Sequence, residues 1–168
     1  MPSFRILQAE QQGVYILKFI GEIRLNLCST LDRIIDGMSA NPGFRTVVVD
    51  LTETELVDST TLGLLAKIAI FAKSRSPLLP TIISTNPDVT RLILTMGFDQ
   101  IFVIVKQAAS RMEQLAEIPI LHATEGEVRD KVLMAHRLLM ELNEHNRAAF
   151  KDLVTALEHD CIRCGETS

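Results

Sequence analysis

The sequence predicts an α/β sandwich, a mixed central β-sheet with helices packed on it, followed by a C-terminal helical extension. Short apolar and β-branched runs alternate with segments whose apolar residues recur near every 3.6 positions, as in strands joined by helices. The run at residues 46–51 is apolar on both faces, which is typical of a strand in the middle of a covered sheet. From about Gln107 onward the pattern is helical.

The first half of the chain contains three predicted strands and two predicted helices. Residues 4–8 and 14–19 are predicted as strands joined by a hairpin, closed by Gly21. Breakers at residues 41–43 end the first helix, and the strand at 46–51 leads through a short acidic loop to a second helix that starts near residues 57–60. The apolar face of the first helix consists of Leu27, Leu31, Ile34, Ile35 and Met38.

The second half of the sandwich continues the alternation. Residues 81–84 are predicted as a buried strand and residues 101–105 as the last strand. Between them a helix begins at Asn86 and Pro87, because Asn caps free N–H groups and Pro suits the first helical position. Gly97 lies just beyond its end. Strands connected through helices imply parallel or mixed pairing.

We expect three segments: a sandwich domain at 1–116, a linker at 117–123 and a helical extension at 124–168 with a mobile tail. Thr124 and Glu127 match a capping box. Apolar residues at four–three spacing predict either one long helix with a heptad seam or a helical hairpin that turns near residues 143–146. Such a segment either docks on the domain or forms a homodimer or partner-binding element. The seam consists of Val128, Val132, Ala135, Leu139, Leu142, Asn146, Ala149, Leu153 and Ala156.

Composition indicates a globular, cytoplasmic protein. Of the 168 residues, 47% are hydrophobic and 23% are charged, so a core can form without disulfides or metals. A formal charge of −4 argues against a nucleic-acid partner. The most apolar stretch, 62–72, is too short to span a membrane and contains Lys67. Residues 1–9 lack a signal-peptide pattern, and three cysteines are consistent with reduced thiols.

Ser59 is the strongest candidate for a functional residue. A buried strand ends, and Asp58, Ser59 and Thr60 begin a helix. A helix N-terminus favours negative charge, so a phosphate on Ser59 would be tolerated there and would change the surface by nearly two charges. Asp58 would repel that phosphate. The plain alternative is that Ser59 only caps the helix, which local sequence alone favours.

Residues 4 to about 114 resemble a STAS domain, the fold of bacterial anti-sigma-factor antagonists. The resemblance rests on several motifs that occur in the family's order. They are Gly21-Glu22-Ile23, the strand 47–51, Asp58-Ser59-Thr60-Thr61-Leu62-Gly63, the helix 86–92 and the closing segment 96–102.

The resemblance implies that Ser59 is phosphorylated by a serine kinase, with Thr60 as a secondary candidate. The unphosphorylated form would bind an anti-sigma factor, and a PP2C-type phosphatase, which can be part of a response regulator, would restore it. Such a protein is not an enzyme and needs no cofactor. The alternative is a non-phosphorylated STAS-fold accessory or scaffold subunit of a transport or signalling complex. The expected partner surface comprises Arg24, Asp58, Ser59, Thr60, Thr61, Leu62 and Gly63.

Two positions depart from the family pattern. Arg24 stands where the family has Asp, so the charge is reversed; Arg24 either meets an acidic partner, pairs with a phosphoserine, or is a solvated surface residue. Thr61 stands where the signature has Gly, which makes the turn into the helix less flexible.

A weak metal-binding pattern occurs at the C-terminal end. His159, Cys161 and Cys164 form a His-x-Cys-x-x-Cys cluster. A structural zinc site needs four ligands, and no second half is evident nearby. We therefore expect thiols rather than a metal site.

Overall fold

The computed structural model describes residues 4–24, 27–107, 116–122 and 124–166, and the side chains of all of these except 116, 117 and 160–166. The strands are β1 Phe4–Gln11, β2 Val14–Ile23, β3 Thr46–Val57, β4 Thr81–Ile83, β5 Val103–Val105 and β6 Ala116–Glu117. The α-helices are α1 Cys28–Ala40, α2 Ser59–Arg75, α3 Pro87–Thr95, α4 Glu125–Leu142 and α5 Glu144–Glu166. A short 3₁₀ turn, Phe98–Gln100, precedes β5.

The six strands form one mixed sheet in the order β5-β4-β3-β2-β1-β6. β1 pairs antiparallel with β2 and with β6. β2, β3, β4 and β5 pair in parallel, as expected for strands connected through helices. The predicted α/β sandwich with a mixed sheet is therefore confirmed.

The hairpin between β1 and β2 depends on Gly13. Gln12 and Gly13 both have positive φ, 52° and 85°. The Gly13 carbonyl accepts from the Arg45 N–H at 2.8 Å, which ties the hairpin to the start of β3. A Cβ at Gly13 would lie 1.9 Å from the Gly43 carbonyl oxygen, so only glycine fits.

The core is mostly aliphatic, and α2 lies at its centre. Val47, Val49 and Leu51 of β3 are at most 1% exposed. Every residue of α2 from Thr60 to Ala66 is buried. A helix packed only on a sheet would expose its outer face. α2 is buried on that face too, because α4 packs over it.

Several strand boundaries differ from the prediction. β3 continues to Val57 through the residues expected to form an acidic loop, since Glu53 and Glu55 alternate outward along a strand. β2 continues past Gly21 to Ile23, because its parallel pairing with β3 resumes after two register shifts. The last strand begins at Val103, because residues 98–100 form the 3₁₀ turn.

The segment expected to be a linker is attached to the sheet domain. β6 pairs with β1, and the Ile118 N–H donates to the Ile6 carbonyl at 2.8 Å. The Leu121 N–H donates to Thr30 Oγ1 at 2.8 Å. The chain that leads to α4 is therefore hydrogen-bonded to the sheet domain as far as Leu121.

The extension forms a helical hairpin, so the alternative of one long helix is wrong. α4 ends at Leu142, Asn143 is extended, and α5 begins at Glu144. The turn changes which residues face inward. The predicted seam residues are buried or half-buried as far as Asn146. Beyond the turn, Ala149, Leu153 and Ala156 are exposed, and Phe150 and Val154 pack inward instead.

No helix among the described residues is sufficiently long and apolar to cross a membrane.

Candidate functional site

The junction between β3 and α2 positions Ser59 at the first turn of a buried helix. Asp58 is the N-cap, because its Oδ1 accepts from the Thr61 N–H at 2.8 Å. The Asp58 N–H donates to the Ile23 carbonyl at 3.1 Å, which ties the junction to the end of β2. Capping is therefore done by Asp58, and the alternative in which Ser59 serves as the cap does not hold.

The Ser59 hydroxyl is hydrogen-bonded to His136 of α4, with 2.7 Å between Oγ and Nε2. The other ring nitrogen, Nδ1, lies 2.6 Å from the Val132 carbonyl oxygen. A carbonyl can only accept, which assigns a proton to Nδ1. In the neutral imidazole, Nε2 then accepts a hydrogen bond from the Ser59 hydroxyl.

His136 is enclosed by the hairpin. Its side chain is 2% exposed, and its ring packs edge-on against Phe150 of α5 at 5.0 Å between centroids. Sequence reasoning missed this residue, because 77 positions separate it from Ser59 and no local motif marks it. The available signal was its place beside Ala135 and Leu139, two residues of the predicted seam.

A close approach of two helices brings His136 to Ser59. A Cβ on Gly63 would lie 2.3 Å from the Ala135 carbonyl oxygen and 2.5 Å from its Cβ. Only glycine permits this distance, so the last residue of the Asp58–Gly63 motif is where α4 touches α2. The sequence motif and the extension are thus parts of one site.

The predicted partner residues lie together at this junction but differ in exposure. Arg24 is exposed and forms an ion pair with Glu22 at 3.1 Å. Asp58 and Ser59 are half-buried. The remaining predicted partner residues, Thr60, Thr61, Leu62 and Gly63, are buried. The open surface that we expected is therefore closed; α4 contributes at Ser59 and Gly63, where His136 and Ala135 contact α2, and local sequence patterns do not place it.

The two threonines after Ser59 are less accessible than Ser59. Thr60 is 4% exposed and Thr61 is 1% exposed. Within the described part of the chain, the buried Thr61 hydroxyl has no hydrogen-bond partner. The secondary phosphorylation candidate, Thr60, is thus a poorer substrate for any kinase in this arrangement.

Cys28 lies near the site but is not a reactive thiol. It begins α1 and is 1% exposed. Burial raises the pKa of the Cys28 thiol, and the charge of Asp58 acts in the same direction. The thiol is therefore held in its neutral form.

The described residues include no group of three or more His, Cys, Asp or Glu side chains arranged to hold a metal ion. Of the predicted weak candidates, His159 is exposed, and the side chains of Cys161 and Cys164 lie outside the described ones.

The hydrogen bond between Ser59 and His136 is sensitive to modification of the Ser59 oxygen. The N-terminus of α2 favours negative charge. However, a phosphoryl group would replace the proton that Ser59 shares with His136, and 2.7 Å leaves no room for it between the two atoms. Modification of Ser59 would therefore break this hydrogen bond between α2 and α4.

Comparison with known proteins assigns the sheet domain. The sequence model of the STAS domain matches residues 5–112, so the match ends before α4 and His136. An anti-sigma factor antagonist from Mycobacterium paratuberculosis has a similar structure, with a TM-score of 0.52 and 23% identity over 62% of this chain and 87% of that one. This likeness shows a common fold.

Two structures of SpoIIAA were also found. Its phosphorylated form from Bacillus has a TM-score of 0.49 and 13% identity over 76% of this chain and 98% of that one. Its unphosphorylated form has a TM-score of 0.47 and 14% identity over 76% and 95%. No curated protein matches the chain.

Proposed function

Because this chain belongs to the STAS domain family, we propose that it is an anti-sigma-factor antagonist: a partner-switching regulator of transcription controlled by reversible phosphorylation of Ser59. The observation that carries the proposal is the state of the Ser59 hydroxyl. It stands at the first position of α2, Asp58 takes over the capping role, and its partner His136 belongs to a separate helix. A hydroxyl that the domain itself does not need for capping is free to be a point of control.

The physical effect of a phosphate at Ser59 supports this role. It adds about two negative charges and three acceptor oxygens at pH 7. The N-terminus of α2 stabilises part of this charge, while Asp58, the next residue, repels it. A partner that docks on the neutral, half-buried junction would lose its packing and meet uncompensated charge.

The partners follow from the same proposal. The unphosphorylated form binds an anti-sigma factor, a serine kinase modifies Ser59 and a PP2C-type phosphatase restores it. The protein acts in the cytoplasm, catalyses no reaction and uses no cofactor. Arg24, exposed near the junction and paired with Glu22, would contact an acidic partner or the phosphate.

A binding comparison tests the proposal. Full-length Ser59→Ala and Ser59→Asp are immobilised and incubated with extract of the native cell, and bound anti-sigma factor is quantified by mass spectrometry. We expect at least tenfold more of it on Ser59→Ala, since loss of a well-packed contact costs about 2 kcal/mol or more.

The matched control is Ser74→Asp. Ser74 is exposed on the same helix, about 22 Å from Ser59 along its axis. This variant should bind like the wild type. Equal capture by both Ser59 variants would exclude the switch.

The second candidate is a non-phosphorylated STAS-fold accessory or scaffold subunit of a transport or signalling complex. The contact of α4 with Ser59 and Gly63 favours it, because a surface that the same chain already occupies has no need to be reached by a kinase. It predicts that Ser59 carries no phosphate under any growth condition.

A further inference from the structure

The α4–α5 hairpin occupies the face of α2 on which a partner would dock. Near the start of α2, His136 accepts the Ser59 proton. One turn further along, the Ala135 backbone lies against Gly63. The hairpin therefore contacts Ser59 and Gly63, the two ends of the helical part of the motif that the proposed function assigns to partner recognition.

Polar contacts hold the two ends of α4. Near its start, Lys131 forms an ion pair with Asp32 of α1, which also pairs with Lys67 of α2 at 3.1 Å. At its end, the Asn146 side chain donates to the Met96 carbonyl and to the Leu139 carbonyl, each at 2.8 Å. These contacts fix the position of α4 along α2.

The hairpin can leave without dismantling the sheet. All six strands precede α4 in the chain, and neither α4 nor α5 contributes a strand. β6 and Ile118 are bound to β1 by backbone hydrogen bonds, and the Leu121 N–H donates to the Thr30 side chain of α1. The chain just before α4 therefore stays attached while the hairpin moves as a unit.

We propose that the face of α2 that carries Ser59 and Gly63 is a shared docking surface, used alternately by the α4–α5 hairpin of the same chain and by a protein partner. This inference rests on the proposed function for the identity of the partner. The partner presents an α4-like helix, with a small residue opposite Gly63 and a hydrogen-bond acceptor opposite Ser59. Only such a helix fits as closely as α4 does.

Both occupants use the unmodified Ser59 hydroxyl. Its unmodified hydroxyl donates to His136 in the closed form, and the same hydroxyl faces the partner in the open form. A kinase can reach the hydroxyl only after the hairpin leaves, so docking of the hairpin protects Ser59. A phosphorylated Ser59 cannot form the hydrogen bond of the closed form again, because its Oγ then carries no hydrogen to donate to His136.

A glycine substitution tests this inference without altering Ser59. Gly63→Ala places a methyl group against the Ala135 backbone and should force α4 away, while alanine is otherwise favourable inside a helix. The matched control is Gly37→Ala in α1, where a Cβ meets nothing within 4 Å. Hydrogen exchange of the full-length proteins, followed by mass spectrometry, reports the opening of α4.

We expect the amides of α4 to exchange about tenfold or more faster in Gly63→Ala than in Gly37→Ala, with β2 and β3 unchanged. If Gly63→Ala also loosens the sheet, Ala135→Leu is used in its place. This variant creates the same clash from the hairpin side. Unchanged exchange of α4 in Ala135→Leu and in Gly63→Ala would overturn the inference.

A second readout separates this inference from the proposed function. The fraction of Ser59 phosphorylated in the native cell should rise several-fold in Gly63→Ala relative to Gly37→Ala. Equal, non-zero phosphorylation in both variants would refute protection by the hairpin and leave the switch intact. Faster exchange of α4 with no phosphate on Ser59 in any variant would refute the switch, and with it the shared use of the surface.

Discussion

At the scale of single residues, the Ser59 hydroxyl is held between two helices that meet at Gly63. Its donor role follows from the Val132 carbonyl, which assigns the proton of His136 to Nδ1 and leaves Nε2 to accept. The bond joins residues that lie 77 positions apart, so each stabilises the placement of the other's helix. Loss of either partner should be felt mainly in α4.

His136→Ala should loosen the hairpin. The substitution removes the acceptor of the Ser59 proton and the edge contact with Phe150, which we expect to cost about 1–3 kcal/mol of α4 docking free energy. Hydrogen exchange of the α4 amides measures this cost. His145→Ala, at an exposed position of α5, is the control and should exchange like the wild type. Identical α4 protection in both variants would show that His136 does not hold the helix.

Cys28 should make the protein less stable in alkali. Burial raises the pKa of its thiol in the folded state, so the unfolded state loses this proton first as pH rises. The contribution of Cys28 to the free energy of unfolding is therefore complete below the unfolded thiol's pKa and falls as pH rises towards the folded-state pKa. Urea unfolding of Cys28→Ala should show a smaller loss between about pH 8 and pH 10 than the wild type. Parallel losses would contradict this role.

At the scale of elements, α2 is the helix on which β3, α1 and α4 all pack. It is covered by β3 and the rest of the sheet on one side and by α1 and α4 on the others, and its residues from Thr60 to Ala66 are buried. This explains why the signature motif is both a core segment and a candidate partner surface. Its outer face is available only where α4 is not.

The turn between α4 and α5 should depend on Asn146. This side chain is 0% exposed and donates to two carbonyls, one on Met96 and one on Leu139. Asn146→Ala leaves both buried acceptors without this donor, and we expect a loss of about 1–3 kcal/mol in urea unfolding. Arg147→Ala removes an exposed ion pair with Glu144 and should cost less than about 0.5 kcal/mol. A smaller loss for Asn146→Ala than for Arg147→Ala would contradict the anchoring role.

The elements that could be predicted from sequence are those specified by local patterns. The β-branched run of β3 and the Asn86–Pro87 start of α3 indicate their own structure within a few residues, and both were found. The extension of β3 to Val57 could not be predicted in this way, because β2 pairs with it there and stabilises polar residues as a strand. Tertiary pairing outweighed the local preference for a loop.

At the scale of the whole molecule, the chain is a STAS domain with a hairpin over its signature motif. Ser59 could be proposed from sequence because it begins a helix after a buried strand. His136 could not, since only the packing of α4 on Gly63 brings it there. The hairpin also lies beyond the residues matched by the STAS domain, which end at 112.

The protein should therefore exist in two states, which differ in whether α4 covers the face of α2 that carries Ser59 and Gly63. In the closed state, α4 lies against Gly63 and Ser59 donates to His136. In the open state, the sheet domain is unchanged and the face of α2 is available to a kinase or an anti-sigma factor. On this proposal, the hairpin and phosphorylation both act on the Ser59 hydroxyl.

The most direct measurement is phosphopeptide mapping of the full-length protein purified from its native cell under several growth conditions. We expect a phosphate on Ser59 in a fraction of the molecules that changes with growth condition, and none on Thr60. Protein that is abundant in every condition but never carries phosphate on Ser59 would contradict the central claim.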